Sequence, residues 1–189
     1  EAAPDDALRR AEFGMVCEAN GFLGAAGNAY QAAVALAPDD AMSWYRLAIV
    51  RGRLGDQEAA IAGFARAVEL RPEYGPAWSR LGQARFDSGD LAGADAAFEK
   101  AIALDSADAR ASTGRARVRL HRGDVQGAAR ELEAFLEHHP GDASALQLLG
   151  TAYRRLGRVD DARFALAVGS GGASSSRDPW SEGIVRFRR

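Results

Sequence analysis

Few residues in this chain are spaced to do chemistry. His138 and His139 stand together between Glu137 and Pro140. Imidazoles and carboxylates are metal ligands, but adjacent side chains on a helix point in different directions, and no third ligand follows at a suitable spacing. Solvation and charge at a helix end account for the pair without a metal. Cys17 is the single cysteine, which excludes an intramolecular disulfide and a cysteine-based zinc site. It sits where a helix faces its neighbour, so a buried structural thiol is expected. The stretch GFLGAAG at 21–27 spaces its glycines as some phosphate cradles do, but no strand leads into it. RGD at Arg122–Asp124 has the letters of an adhesion tripeptide and is explained below as a turn. No zinc-protease motif, phosphate-binding loop or nucleophile elbow occurs. No catalytic residue, metal or cofactor is expected, and the chain is read as not an enzyme.

What stays available is guanidinium chemistry. Of the 24 basic residues, Lys100 is the only lysine. An arginine fork donates two parallel hydrogen bonds to a carboxylate or phosphate. The formal net charge of −2 does not suggest nucleic acid as the partner. An Arg-rich, solvated surface in a GC-rich genome is the plain alternative to a binding site. No apolar run approaches the roughly 20 residues of a membrane span, and the polar or small residues 1–6 do not read as a signal peptide. A soluble protein with no membrane insertion is expected, of undetermined compartment.

The elements that hold these arginines are written in a repeat. Steps of 34 from Gly21 meet Gly55, Gly89, Gly123 and Gly157, and steps of 34 from Ala26 meet Ala60, Ala94, Ala128 and Ala162. The same step from Pro4 gives Pro38, Pro72, Ser106 and Pro140. Units then begin at Ala7, Ala41, Gly75, Ala109 and Ala143. Within each unit, positions 4, 7, 8 and 11, mostly apolar or small, recur at helical spacing and form one face. Positions 8 and 20 are small, which lets two antiparallel helices approach closely. Gly at position 15 suits a left-handed residue ending the first helix. Asp56, Asp90 and Asp124 follow it as caps of the second helix. Pro at position 32 ends the second helix, and the Asp residues after it can cap the next unit.

This pattern resembles the tetratricopeptide repeat. Trp44, Leu47, Ala48, Ala60, Phe64, Ala67 and Pro72 match that family's signature, as do Trp78, Leu81, Gly82, Ala94, Phe98 and Ala101. Arg51 and Arg85 replace the usual aromatic at position 11. The resemblance implies an all-α, right-handed α-solenoid of five tandem 34-residue helix-turn-helix repeats, at 7–40, 41–74, 75–108, 109–142 and 143–168. First helices are expected near 7–20, 41–54, 75–88, 109–122 and 143–156, and second helices near 23–36, 57–70, 91–104, 125–138 and 159–168. Residues 169–176 read as a flexible linker. The tail 177–189 carries Trp180, Ile184, Val185 and Phe187, either as a cap on the last helix or as a docking segment. PDDA at Pro4–Ala7 repeats the junction at Pro38–Ala41, so residues 1–6 read either as the end of an upstream unit or as a helix lead-in.

In this family the first helices line a concave groove. Here that face carries Tyr45, Arg46, Ile49 and Arg53, then Arg80, Gln83 and Phe86, then Arg110, Arg117 and Leu120, and finally Arg154 and Arg155. Its acids are Glu12, Glu18 and Asp87, two of them in the first repeat, so the face is expected to be basic from the second repeat onward. The resemblance implies a protein-interaction scaffold or adaptor whose groove takes a partner segment, and the arginines suggest an acidic one. The alternatives are a structural subunit assembling through its edges, including with its own copies, and the repeat arm of a longer enzyme. Some relatives clamp a chaperone's terminal carboxylate, but the clamp positions here hold Ala11, Met15, Arg46, Pro76 and Arg80, and only Arg80 matches. No such clamp is expected. The fourth repeat has Ser112, Arg115 and Arg119 on its packing side. These arginines are expected to snorkel or to pair with Glu131 or Glu133, in the least stable internal unit.

Overall fold

A computed structural model describes residues 4–170. Ten helices and no strand occur among them. They are α1 (Pro4–Ala19), α2 (Leu23–Leu36), α3 (Ala41–Arg53), α4 (Gln57–Leu70), α5 (Gly75–Asp87), α6 (Leu91–Leu104), α7 (Ala109–His121), α8 (Val125–His138), α9 (Ala143–Arg155) and α10 (Val159–Gly169). The fold is the all-α helical-repeat solenoid expected from the period. The helices fall in two compact units, one ending at Leu104 and the other beginning at Asp105. Trp180, Ile184, Val185 and Phe187, and the linker before them, lie outside the described residues.

Each helix pair is built by the same few devices. The turn glycines Gly21, Gly55, Gly89, Gly123 and Gly157 have φ between 76° and 87°, the left-handed region that a Cβ disfavours. RGD is thus a turn, with Gly123 at its bend and Asp124 capping α8 through the Gly127 N–H at 2.8 Å. Asp56 accepts from the Ala59 N–H, and Asp90 from the Gly93 N–H. Between repeats, Asp40, Asp108 and Asp142 cap α3, α7 and α9. The Trp44 and Trp78 indoles donate to the Pro38 and Pro72 carbonyls at 3.0 and 2.8 Å, pinning each first helix to the junction before it. Pro4 lies inside α1. Proline suits a first turn, where its missing N–H has no partner to lose, so α1 starts earlier in its repeat than α3 does.

The small positions set how closely the helices pack. A Cβ on Gly82 would lie 2.7 Å from the Phe98 ring, and one on Gly14 2.7 Å from the Tyr30 ring. The first unit packs Tyr30, Val34, Leu47 and Val50 together with Cys17, and Phe64, Val68 and Leu81 in a second cluster. Cys17 is buried, as expected. In the second unit the core gathers Leu132, Leu136, Leu146, Leu149 and Tyr153. Leu120, read from the sequence as a groove contact, is instead buried in this core. The packing side of α7 carries Ser112, Arg115 and Arg119, so Val118 and Leu120 supply apolar burial that those positions do not.

Candidate functional site

In the first unit, α3 and α5 carry the predicted site residues. Each helix has its small and apolar residues turned to the core (Ala48 and Val50 on α3, Leu81 and Gly82 on α5). That leaves Arg46, Arg53, Arg80 and Gln83 on the other side. Arg53, Arg80 and Gln83 border a cleft of about 460 Å³ that Glu18, Ile49 and Asp87 also line, and Arg46 reaches its edge only through Glu18. Tyr45 is half-buried, its ring 5.8 Å from Phe64 and 5.2 Å, edge-on, from Tyr74. Burial and the neighbouring Tyr45 raise the Tyr74 hydroxyl above its ordinary range. Tyr45 and Ile49 both pack against the core cluster, so they shape the wall more than they reach from it. Phe86 is half-buried.

The charges around this cleft are partly answered from within the chain. Arg46 and Arg53 both approach the Glu18 carboxylate, at 3.5 and 3.7 Å. The Tyr30 hydroxyl donates to the same carboxylate at 3.0 Å. Burial first, then that hydrogen bond, pushes the Tyr30 hydroxyl up to about 12. The Gln83 amide donates to Asp87 at 2.6 Å. Sequence reasoning placed Glu18 on this face but did not join it to Arg46 and Arg53. The link depends on how α1 sits against α3, which no local pattern states.

The second unit positions the other predicted arginines. Arg110 and Arg154 are exposed and Arg117 is half-buried. Arg155 donates to the Leu120 carbonyl at 3.1 Å, so it also fastens α9 to α7. The seam arginines behave as their sequence suggested. Arg119 meets Glu131 at 2.7 Å and Asp124 at 2.9 Å, and Arg115 meets Glu131 at 3.5 Å. Burial pulls the Arg119 value down, but its hydrogen bond to Asp124 and the nearby Glu131 outweigh it, and the net direction is up. Glu133 goes elsewhere. It accepts from the Tyr153 hydroxyl at 2.7 Å and lies 3.5 Å from Arg158. Burial, and then Glu133, raise the Tyr153 hydroxyl far above its ordinary range.

One regularity was legible in the sequence and passed unnoticed there. Position 11 pairs with position 16 in three successive repeats: Arg51 with Asp56 at 3.9 Å, Arg85 with Asp90 at 3.8 Å, and Arg119 with Asp124 at 2.9 Å. The fifth repeat inverts the pair, with the Arg158 guanidinium 4.1 Å from the centre of the Tyr153 ring. Arginine at position 11 thus ties the end of one helix to the cap of the next.

Among the described residues, no three His, Cys, Asp or Glu side chains gather to hold a metal ion. Among them, too, no helix is long and apolar enough to cross a membrane.

Models described as tetratricopeptide repeat match residues 29–62, 79–134 and 119–172, together well over half of the chain. The chain belongs to the tetratricopeptide repeat family. Among solved structures, it is similar to MamA protein, with 22% identity and a TM-score of 0.81 over 94% of this chain and 100% of that one. It is similar to YrrB, described as a TPR protein with an unusual peptide-binding site, with 19% identity and a TM-score of 0.75 over 96% and 92% of the two chains. The first TPR of Spaghetti (RPAP3), solved with the HSP90 peptide SRMEEVD, is 23% identical with a TM-score of 0.62, over 65% of this chain and 97% of that one. At these identities the likeness is one of fold. No curated protein sequence matches the chain.

Proposed function

We propose that the chain is a non-catalytic interaction scaffold or adaptor, and that the cleft of its first unit takes an acidic segment of a partner protein. The observation that carries this reading is an open cleft of about 460 Å³ in which Arg53 and Arg80 stand beside the apolar wall of Ile49. Arginine forks suit carboxylates, and an apolar wall offers the burial that exposed ion pairs lack. Two proteins of similar fold are described as peptide-binding, which supports a peptide as the occupant. Arg110, Arg117 and Arg154 offer a second unit's worth of the same chemistry.

The test is a labelled, amidated peptide of alternating Glu and Leu, set against its Gln-for-Glu counterpart and followed by fluorescence anisotropy. The Glu peptide is expected to bind more tightly, and to weaken as added salt shortens the Debye length below about 10 Å. An Arg53→Glu, Arg80→Glu variant with an unchanged circular dichroism spectrum is expected to lose it. Equal binding of both peptides, or binding that survives the charge reversal, removes the acidic-partner reading.

A specific observation favours a second reading, assembly through the edge of the array. Phe13 and Val16 are 56% and 59% exposed. At the same repeat positions Leu47, Leu81 and Leu149, and Val50, Ala84, Val118 and Ala152, are buried. This surface of α1 therefore has the composition of a repeat-to-repeat contact. A native mass above the monomer that falls to the monomer in Phe13→Glu, Val16→Glu, and is unmoved by the cleft variant, supports this reading.

A further inference from the structure

Glu18 looks at first like one of the acids that dilute the basic face. Its geometry is more specific. Its carboxylate lies at the meeting point of three donors on two other helices: the Tyr30 hydroxyl of α2, and the Arg46 and Arg53 guanidiniums of α3. Two guanidiniums and a phenol hydroxyl around one carboxylate are what a carboxylate-binding subsite consists of.

The occupancy is loose. Charge-assisted N–H···O contacts close to about 2.7–2.9 Å, whereas the two arginines stand 3.5 and 3.7 Å from Glu18. The Arg46 Nε–H is buried and has no hydrogen-bond acceptor. Exposure is unequal too. The Glu18 side chain is 17% exposed, but Arg46 is 37% and Arg53 49% exposed. An incoming carboxylate can therefore reach the guanidiniums from the solvent side while Glu18 contacts them from within. Two positive charges share one negative charge, so the cluster keeps an unmatched charge for a partner.

We infer that Arg46 and Arg53 form the subsite for an Asp or Glu side chain of the partner, and that Glu18, held from beneath by the buried Tyr30 hydroxyl, is a built-in competitor for it. The inference rests on the acidic-segment reading above. Glu18 sets how acidic a segment must be before it binds: a single carboxylate meets only the charge that Glu18 leaves unmatched, and a run of them competes with Glu18 for both guanidiniums.

Glu18→Gln is the decisive variant. It keeps the side-chain length and an oxygen for the Tyr30 hydroxyl, and removes the charge. Affinity for the Glu–Leu peptide is expected to rise about three- to tenfold, the range that releasing two partly exposed ion pairs gives. Binding of the Gln–Leu peptide is expected to stay unchanged. The gain should shrink at high salt. In the double variant Glu18→Gln, Arg46→Gln the gain should disappear, because the subsite has lost a donor. Each variant is first compared with wild type by circular dichroism and a thermal melt. If Glu18→Gln binds no better while Arg53→Glu, Arg80→Glu still abolishes binding, the cleft reading stands and the subsite is overturned. A gain that persists without Arg46 also overturns it, since the effect is then one of overall charge. If neither wild type nor Glu18→Gln binds the acidic peptide, the cleft reading and the subsite fall together.

Discussion

A close contact between α3 and α4 in the first unit can be tested through Gly63. A Cβ built there would lie 2.9 Å from the Ala48 Cβ, and 3.4 Å from both the Ala48 Cα and the Trp44 carbonyl oxygen. All three atoms belong to α3, and two of them are backbone, so no side chain can swing aside. Two opposing effects decide the outcome of Gly63→Ala. Replacing glycine by alanine inside a helix gains about 1 kcal/mol. Forcing α3 and α4 apart costs roughly 1–3 kcal/mol as overpacking. The net expectation in the wild-type background is a loss of up to about 2 kcal/mol. Ala48→Gly alone should cost about 2 kcal/mol, from lost helix propensity and the loss of one buried methyl group. In that background the same Gly63→Ala change meets no methyl at 48 and should gain about 1 kcal/mol. The prediction is therefore a reversal of sign, with a coupling of about 1–3 kcal/mol across the pair. Urea melts of the four proteins, read by far-ultraviolet circular dichroism and by the fluorescence of Trp44 and Trp78, measure it. If Gly63→Ala has the same effect with Ala48 present or absent, the contact does not set the helix separation and the reasoning fails.

Three further outcomes are expected. The Asp124 carboxyl is held below its ordinary range, first by the Gly127 N–H and then by Arg119. Such a group adds stability that is complete above its unfolded value of about 4 and is lost as pH falls through the lower folded value. Asp124→Asn keeps a capping side chain and should flatten the acid limb of urea melts below about pH 4, and an unchanged limb counts against the pairing. Tyr30 titrates high, so its share of the stability is full below about pH 10 and fades as pH rises towards the folded value. Thermal melts of Tyr30→Phe should lack that alkaline decline, and an identical decline in both proteins disproves the link. Hydrogen exchange should be fastest in α7 and α8 among the three internal repeats, because α7 buries Ser112 where Trp44 and Trp78 stand in the repeats before it. Finding the fourth repeat to be the best protected would refute this.

The fold was legible because its determinants recur. Five glycines at one spacing announced five turns, and the φ of each is positive. Aspartates after the glycines and prolines announced caps, and their carboxylates meet the expected N–H groups. Arg115 and Arg119, odd on a packing face, correctly implied a carboxylate across the seam. The site was less legible. Helical periodicity puts a residue on a face, but not at a distance from a residue on another helix. Leu120 shows the limit, since one position serves as groove lining in some repeats and as core here. Arg46 and Arg53 show it again, since their shared carboxylate comes from α1.

The pairing of position 11 with position 16 has a consequence for how such a chain can change. In the second, third and fourth repeats the arginine and its aspartate belong to one and the same repeat. With respect to this lock those units are cassettes: one could be duplicated, deleted or transplanted and carry its fastening along. The fifth repeat is addressed to its neighbour. Tyr153 and Arg158 both reach Glu133 on α8, in the repeat before, so its fastening is completed only next to a repeat that supplies that carboxylate. Recombination at the second, third or fourth repeat thus keeps this fastening, whereas the fifth keeps its own only beside a repeat that supplies a carboxylate in the place of Glu133.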